Sequence, residues 1–296
     1  ISASNSLVSF LITFPPEPIN SPIFSFGISS NVTTGAYFPT EGRDIQEQIK
    51  YFIKNAIEQW GTTDLMIVGS STDIPSRETH VQVSSNDIEI FVSDLYYADI
   101  YDDTMNFSSW DTNNNDLFAE YHWIGKTDSL DFYPDVRLGR LACTSEQQVE
   151  TVVTKIINYE TGEAWTKNWF NTVVVIGGDT VPNDEKGIDE GELVNQRVIE
   201  LLDTFIPDKI WDSNNRLSGI SPSGVENIDN GINQGCGFVE FSGHGAPSVW
   251  TTYPHNGSRQ SLPTPWGAYY NYKISDLING EKLPIALNGG CSLGKF

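Results

Sequence analysis

Two short apolar runs late in the chain constrain its fold more than any other feature: Gly237-Phe238-Val239-Glu240-Phe241-Ser242-Gly243-His244-Gly245 and Leu283-Pro284-Ile285-Ala286-Leu287-Asn288-Gly289-Gly290-Cys291. Each reads as a buried strand ending in a glycine-flanked reactive side chain. Side by side in a parallel sheet, they would present His244 and Cys291 together at the C-terminal edge, where open α/β folds keep their sites. A thiol needs a neighbouring base to become thiolate at neutral pH, and imidazole suits that task. The glycines let backbone N–H groups face a developing oxyanion. Taken singly, Gly-His-Gly reads as a turn and a lone cysteine as inert core. It is the matching pattern of the two runs that points to a nucleophile and its base. Cys291 follows His244 by 47 positions, enough for a loop plus one crossover helix between parallel strands.

The rest of the chain alternates in the same way. Ile45, Ile49, Phe52, Ile53 and Ile57 recur at helical spacing between Asp44 and Trp60; Gly61 stops that helix, and Leu65-Met66-Ile67-Val68 follows as a strand. Ile88–Asp94 and Val136–Leu141 read as further strands, and Thr144-Ser-Glu-Gln147 opens a helix with capping-box form. A second series runs from strand Thr172–Gly178 through a helix over 192–205, a strand over 209–211 and a helix over 223–234 to the His244 and Cys291 strands. Such alternation predicts an α/β fold with a doubly wound, mostly parallel sheet. We divide it into a Pro/Ser-rich segment (1–40) with one strand candidate at 7–12, a first α/β subdomain (41–165) and a second (166–296), with a hinge near Trp165–Trp169.

A formal charge of −22, from 39 acidic and 17 basic residues, argues against nucleic acid or anionic lipid as partner. No apolar run approaches the ~20 residues of a membrane span. The three cysteines, Cys143, Cys236 and Cys291, leave at least one thiol outside any internal pairing. Acidity, few lysines and the acceptor triplets at Asn31, Asn106 and Asn256 fit a secreted or cell-surface protein. The four histidines lack zinc-site spacing.

Asp111, Asn113, Asn115, Leu117 (by its carbonyl) and Glu120 offer oxygens at the alternating positions of a calcium loop. It is not an EF-hand, since Asp116 stands where the turn glycine would be and His122 where the bidentate glutamate would be. A solvated Asn/Asp loop is the other reading of the same residues.

Asp73-Ile-Pro, Ser93-Asp-Leu-Tyr-Tyr-Ala-Asp99, Tyr133-Pro-Asp-Val-Arg-Leu-Gly-Arg140, Lys155-Ile-Ile-Asn-Tyr-Glu160, Gly243-His-Gly245 and Gly290-Cys291 together resemble the gingipain family of cysteine peptidases. The resemblance runs from about residue 44 to the end, with its motifs in order. It implies a caspase-like fold of two side-by-side α/β subdomains, the second catalytic, and a calcium-binding enzyme that cleaves proteins or peptides after Arg or Lys. Carried over by position, Cys291 is the nucleophile, His244 the general base and Asp179 the carboxylate that orients the imidazole. Backbone N–H groups of Gly245 and Cys291 would hold the oxyanion. Glu192 would line the specificity pocket, with Trp250 as a second substrate-binding candidate. The resemblance also places structural calcium in the first subdomain, with Asp94 or Asp99 as further ligands. The family's catalytic unit continues well beyond its nucleophile, so the second subdomain is expected to be completed by further residues or a partner chain pairing beside Cys291. Two other readings stay open: a non-catalytic calcium-binding surface module on a peptidase fold, and a clostripain- or legumain-like peptidase.

Overall fold

Where the period of apolar residues is two the chain forms strands, and where it is near 3.6 it forms helices. The computed structural model describes residues 9–14, 24–28, 41–122, 124–182, 184, 187–255 and 260–294, the first two segments by backbone alone. Most of the Pro/Ser-rich segment, including Asn31, and the triplet at Asn256 lie outside the described residues. The chain divides into two units between Val152 and Val153, inside a helix and ahead of the hinge read from the sequence.

In the first unit, β1 (Ser9–Phe14) pairs antiparallel with β2 (Phe24–Ile28) and, on its other side, with β3 (Asp64–Val68). Helix α1 (Ile45–Trp60) precedes β3. Its start is fixed by Asp44, whose side chain accepts the Glu47 N–H at 2.8 Å, and its end by Gly61 at φ 65°. Strand β4 (Arg77–Ser84), absent from the sequence reading, forms a hairpin with β5 (Asp87–Ser93). The short α2 (Leu95–Ala98), β6 (Tyr121–His122) and β7 (Gly125–Lys126) follow. Then β8 (Arg137–Leu141) pairs parallel with β3, and α3 (Glu146–Thr161) leads on. Ile49, Phe52 and Ile53 of α1 pack with Ile67, Tyr96, Tyr97 and Trp110 in the core of this unit.

The second unit is built on one parallel sheet. Its elements are β9 (Thr172–Gly177), α4 (Glu190–Leu201), β10 (Ile206–Trp211), α5 (Gly224–Gln234), β11 (Phe238–Ser242), β12 (His244–Ala246), β13 (Val249–Thr251), β14 (Tyr269–Tyr270) and β15 (Ile285–Gly289). The sheet order is β10-β9-β11-β15, all neighbours parallel. Val174, Ile176, Val239 and Phe241 form one core with Val225, Ile228 and Ile232 of α5. The alternate residue Glu240 points to the opposite face, where it meets Asn195 of α4. The sheet is therefore wound on both faces. One expectation fails. Between His244 and Cys291 the described residues hold no crossover α-helix but the antiparallel sheet β12-β13-β14 and a 3₁₀ helix, Asn271–Asp276. Pro247, Pro254, Pro263 and Pro265 interrupt any helical run there.

Candidate active site

Register alone brings the reactive residues level. Ser242, the last residue of β11, stands opposite Gly289, the last of β15, and the Gly243 N–H donates to the Gly289 carbonyl at 2.9 Å. His244 and Cys291 each lie two residues further along their strands. The two loops then touch backbone to backbone. A Cβ on Gly245 would stand 2.5 Å from the Cys291 carbonyl oxygen, and one on Gly290 would stand 3.1 Å from the Gly245 nitrogen. Only glycine permits that approach. Cys291 is exposed, whereas Cys143 and Cys236 are buried. Burial pushes the Cys236 thiol up to about 12 and makes it inert.

His244 is held by a partner that the sequence does not announce. Its Nε2 lies 2.8 Å from the Thr180 carbonyl oxygen. A carbonyl can only accept, so Nε2 carries the proton and Nδ1 is left as the basic nitrogen. Thr180 is itself fixed, because its N–H and hydroxyl both donate to Glu190 Oε2, at 3.1 and 2.9 Å. Asp179 pairs through its backbone with Tyr253, at 3.0 and 2.9 Å. The Tyr253 ring in turn meets the His244 imidazole edge-on at 5.6 Å. The carboxylate of Asp179, expected to orient the imidazole, instead accepts the Val181 N–H at 2.8 Å. The backbone pairing with Tyr253 turns that side chain back into its own loop. Burial, reinforced by Glu190, Asp189 and Asp184, raises the Asp179 pKa.

Glu192 lies in the first turn of α4 and is buried. Its oxygens accept from the Ser213 N–H and hydroxyl, at 2.9 and 2.5 Å. Burial raises its pKa, and Asp189 and Asp212 add to the rise. His255, hydrogen-bonded to Asp189 at 2.7 Å, is raised by that carboxylate. Asp212 accepts the His255 N–H with one oxygen, and its other oxygen is buried without a partner. Trp250 is only 4% exposed, packs edge-on against Phe241 and abuts the position a Gly243 Cβ would take. It buttresses the turn before His244 and also lines a cavity with Phe241, Tyr269 and Leu293.

The five residues of the acidic loop do not converge as a calcium shell. Asp111 accepts from Arg43 at 2.5 Å and from the Asn115 and Asp116 N–H groups. Asn113 and Asn115 each accept a backbone N–H two residues on, while their amides donate to Glu120 at 3.0 and 2.7 Å. Asp111, Asn113, Asn115 and Glu120 thus make hydrogen bonds within the protein, and the Arg43 guanidinium lies against Asp111. Asp94 is paired with Arg140, and Asp99 takes the Trp110 indole N–H. Among the described residues no group of three His, Cys, Asp or Glu side chains is placed to hold a metal.

The model of peptidase family C25 matches residues 25–296. Gingipain R2 and gingipain R1 of Porphyromonas gingivalis are each 24% identical over 254 residues, 84% of this chain. The chain spans 26% and 20% of their respective lengths. The crystal structure of the Arg-specific cysteine proteinase gingipain R matches 83% of this chain and 45% of that one, with TM-score 0.54 and 20% identity. A complex of gingipain pro- and mature domains matches with TM-score 0.50 and 21% identity, over 82% and 45% of the two chains. These likenesses establish a caspase-like α/β fold.

Proposed function

Since the chain belongs to peptidase family C25, we propose that it is a cysteine endopeptidase with Cys291 as nucleophile and His244 as base. The observation that carries this is the meeting of the Gly245 and Gly290–Cys291 backbones at the end of two parallel strands, with the imidazole tautomer set by Thr180. His244 Nδ1 takes the thiol proton, and the thiolate attacks the scissile carbonyl. N–H groups of Gly245 and Cys291 stabilise the oxyanion. The imidazolium returns its proton to the leaving amine, and water resolves the acyl-enzyme. Asp179 enters as a buried carboxylate beside this assembly, stabilising the imidazolium at a distance rather than by a hydrogen bond.

Cleavage after Arg or Lys is part of the proposal. It is supported by the buried Glu192 with Asp189 and Asp212 around it, and by the Arg specificity named for the related proteinase. A basic side chain entering there would relieve three crowded carboxylates. We further propose a secreted or surface protein. Among the described residues no helix is long and apolar enough to cross a membrane, the Asn106 acceptor is exposed, and acidity with few lysines agrees.

The second unit is proposed to pair with a further segment at β15. All five β15 residues and Val153, Ile156 and Ile157 of α3 are exposed, leaving an apolar strand at the sheet edge. A smaller polypeptide co-purifying with the second unit, seen by intact mass spectrometry, supports that pairing; a monomer that cleaves substrates alone refutes it. The decisive test of the enzyme reading is a thiol-reactive peptide ending in Arg or Lys. It labels the wild type and leaves Cys291→Ala unlabelled; equal labelling of the two ends the proposal.

A further inference from the structure

The strand that delivers His244 carries one carboxyl group the mechanism does not use. Glu240 is 5% exposed, in the middle of β11 between the apolar Val239 and Phe241. One oxygen lies 2.8 Å from the Ser242 hydroxyl. The other accepts from the Asn195 amide of α4, whose own oxygen accepts the Trp211 indole N–H at 2.8 Å. Asn195 reaches this position across Gly177, where a Cβ would stand 2.7 Å from the amide oxygen. Ser242 immediately precedes the Gly243-His244-Gly245 turn, and Glu240 Oε1 lies 3.7 Å from where a Gly289 Cβ would be. Glu240 therefore ties together β11, α4 and, through Asn195, β10 directly beneath the candidate site.

We propose that Glu240 is a positioning residue that works as a neutral carboxylic acid, locking the end of β11 that leads into His244 to α4 through Ser242 and Asn195. Lys209 of β10, level with Glu240 across Val175, is engaged by the Gln196 amide oxygen and the Trp211 ring, and among the described residues no cation is paired with Glu240. The flanking β9 and β15 carry no titratable side chain, and β11 carries no other. On α4, Glu190 and Glu192 are engaged by Thr180 and Ser213, while Arg197 and Glu200 are exposed. With Asn195 donating to one oxygen, the acid proton belongs on the other, where it donates to the Ser242 oxygen. Burial pushes the Glu240 carboxyl up to about 7, against the Ser242 and Asn195 hydrogen bonds. Losing the proton reverses the Ser242 hydrogen bond and places a bare charge under the turn, so the geometry of His244 becomes pH-dependent for a reason outside the catalytic pair.

This inference rests on the peptidase reading for its kinetic test only. In wild type, kcat is expected to fall as pH rises past about 7, with KM unchanged. Glu240→Gln keeps the amide and hydroxyl partners without a titration and should lose that alkaline fall. Glu240→Ala should lower kcat on the order of tenfold at every pH through misplacement of the imidazole. Independently of turnover, the His244 ring resonances in a Cys291→Ala background should show a second inflection near the Glu240 titration, absent when Glu240→Gln is added. An infrared carboxylic-acid band should disappear with that same substitution. Superimposable pH profiles for wild type and Glu240→Gln, or a single His244 inflection in both backgrounds, overturn the role of Glu240. A protein without turnover whose His244 still shows the second inflection keeps that role and removes the peptidase reading instead.

Discussion

In the first unit Asp44, Asp64 and Asp111 each meet a guanidinium, from Arg77, Arg137 and Arg43; in the second Asp179, Glu192 and Glu240 meet only hydroxyl, amide and backbone donors. The consequences are opposite. Burial would raise Asp111, but Arg43 and the Asn115 and Asp116 N–H groups outweigh it and hold the carboxyl below its usual range. Asp44 is lowered in the same way, its burial overcome by Arg77 and the Glu47 N–H. Burial wins at Asp179, Glu192 and Glu240, and no cation contributes to any of the three. Even the first unit's raised carboxyl, Asp99, faces a buried cation: desolvation pushes Lys50 down to about 7 while Asp99 pulls it back up. A fold that needs its carboxylates only for structure supplies counter-charges. Carboxylates buried without a counter-charge have raised pKa values, and such perturbed groups cluster at functional sites.

The largest effect that could break this comparison is catalytic. Cys291→Ala and His244→Ala should each lower peptidase turnover on the order of a thousandfold or more. Asp111→Asn, in the paired loop of the first unit, should leave kcat and KM unchanged. If the Asp111 variant loses activity to a similar degree while remaining folded, the division between structural and chemical carboxylates is wrong.

Next in size is a stability effect with a definite sign. Burial pushes the folded Glu240 carboxyl up to about 7, above the 4.5 of an ordinary glutamate. Below pH 4.5 both states are protonated and the group is neutral in effect. As pH rises from 4.5 to 7 the unfolded chain releases the proton first, so stability is lost across that window. Glu240→Gln should therefore match wild type in denaturant unfolding near pH 4.5 and exceed it by about 3 kcal/mol at pH 8. A constant difference across pH would show that Glu240 does not titrate in that window.

Arg43→Ala tests the other side. Asp111 has a fully buried side chain, and removing its guanidinium leaves a charge held only by backbone N–H groups. The first unit should lose about 2 kcal/mol, less than a fully buried pair because Arg43 is itself partly exposed. Millimolar calcium should not restore it, and a chelator should not shift the wild-type melting point. Rescue by calcium would show that the loop rearranges into the metal site its sequence resembles.

The strands leading to His244 and Cys291 were legible because the pattern of apolar run, glycine and reactive side chain marks both of them. Helices α1, α3, α4 and α5 were legible through their apolar stripes and, for α1, through Asp44 and Gly61, whereas the four-residue α2 was not. Strand β4 was not, since Arg77-Glu-Thr-His-Val-Gln-Val-Ser84 lacks a clean apolar alternation and only Arg77 and Thr79 are buried. The partner of His244 was hidden for a deeper reason: a main-chain carbonyl leaves no mark in the residue string, and Thr180 stands one place beyond the carboxylate that drew attention. The calcium-like spacing at Asp111 does not reveal that Arg43, far away in sequence, pairs with that carboxylate. Glu240 left a faint signal, a lone carboxylate inside Phe-Val-Glu-Phe, whose meaning depended on finding Asn195 across from it.

The smallest predicted effect asks which side of the comparison Glu192 belongs to. Its oxygens bind Ser213 as a structural carboxylate would, yet its pKa is raised by burial, Asp189 and Asp212, as at a functional position. Glu192→Gln preserves the size and the acceptor for Ser213 and removes the charge. A folded carboxyl raised above its unfolded value costs stability as pH climbs above the unfolded pKa, so the variant should be no less stable than wild type at neutral pH. A charged group facing a substrate guanidinium instead affects binding, and KM for peptides ending in Arg should rise on the order of tenfold, with kcat changing less. Steady-state kinetics on matched Arg and neutral peptides decide the matter. An unchanged Arg preference together with reduced stability would move Glu192 among the structural carboxylates and leave Asp189 and Asp212 as the acidic groups that select the substrate.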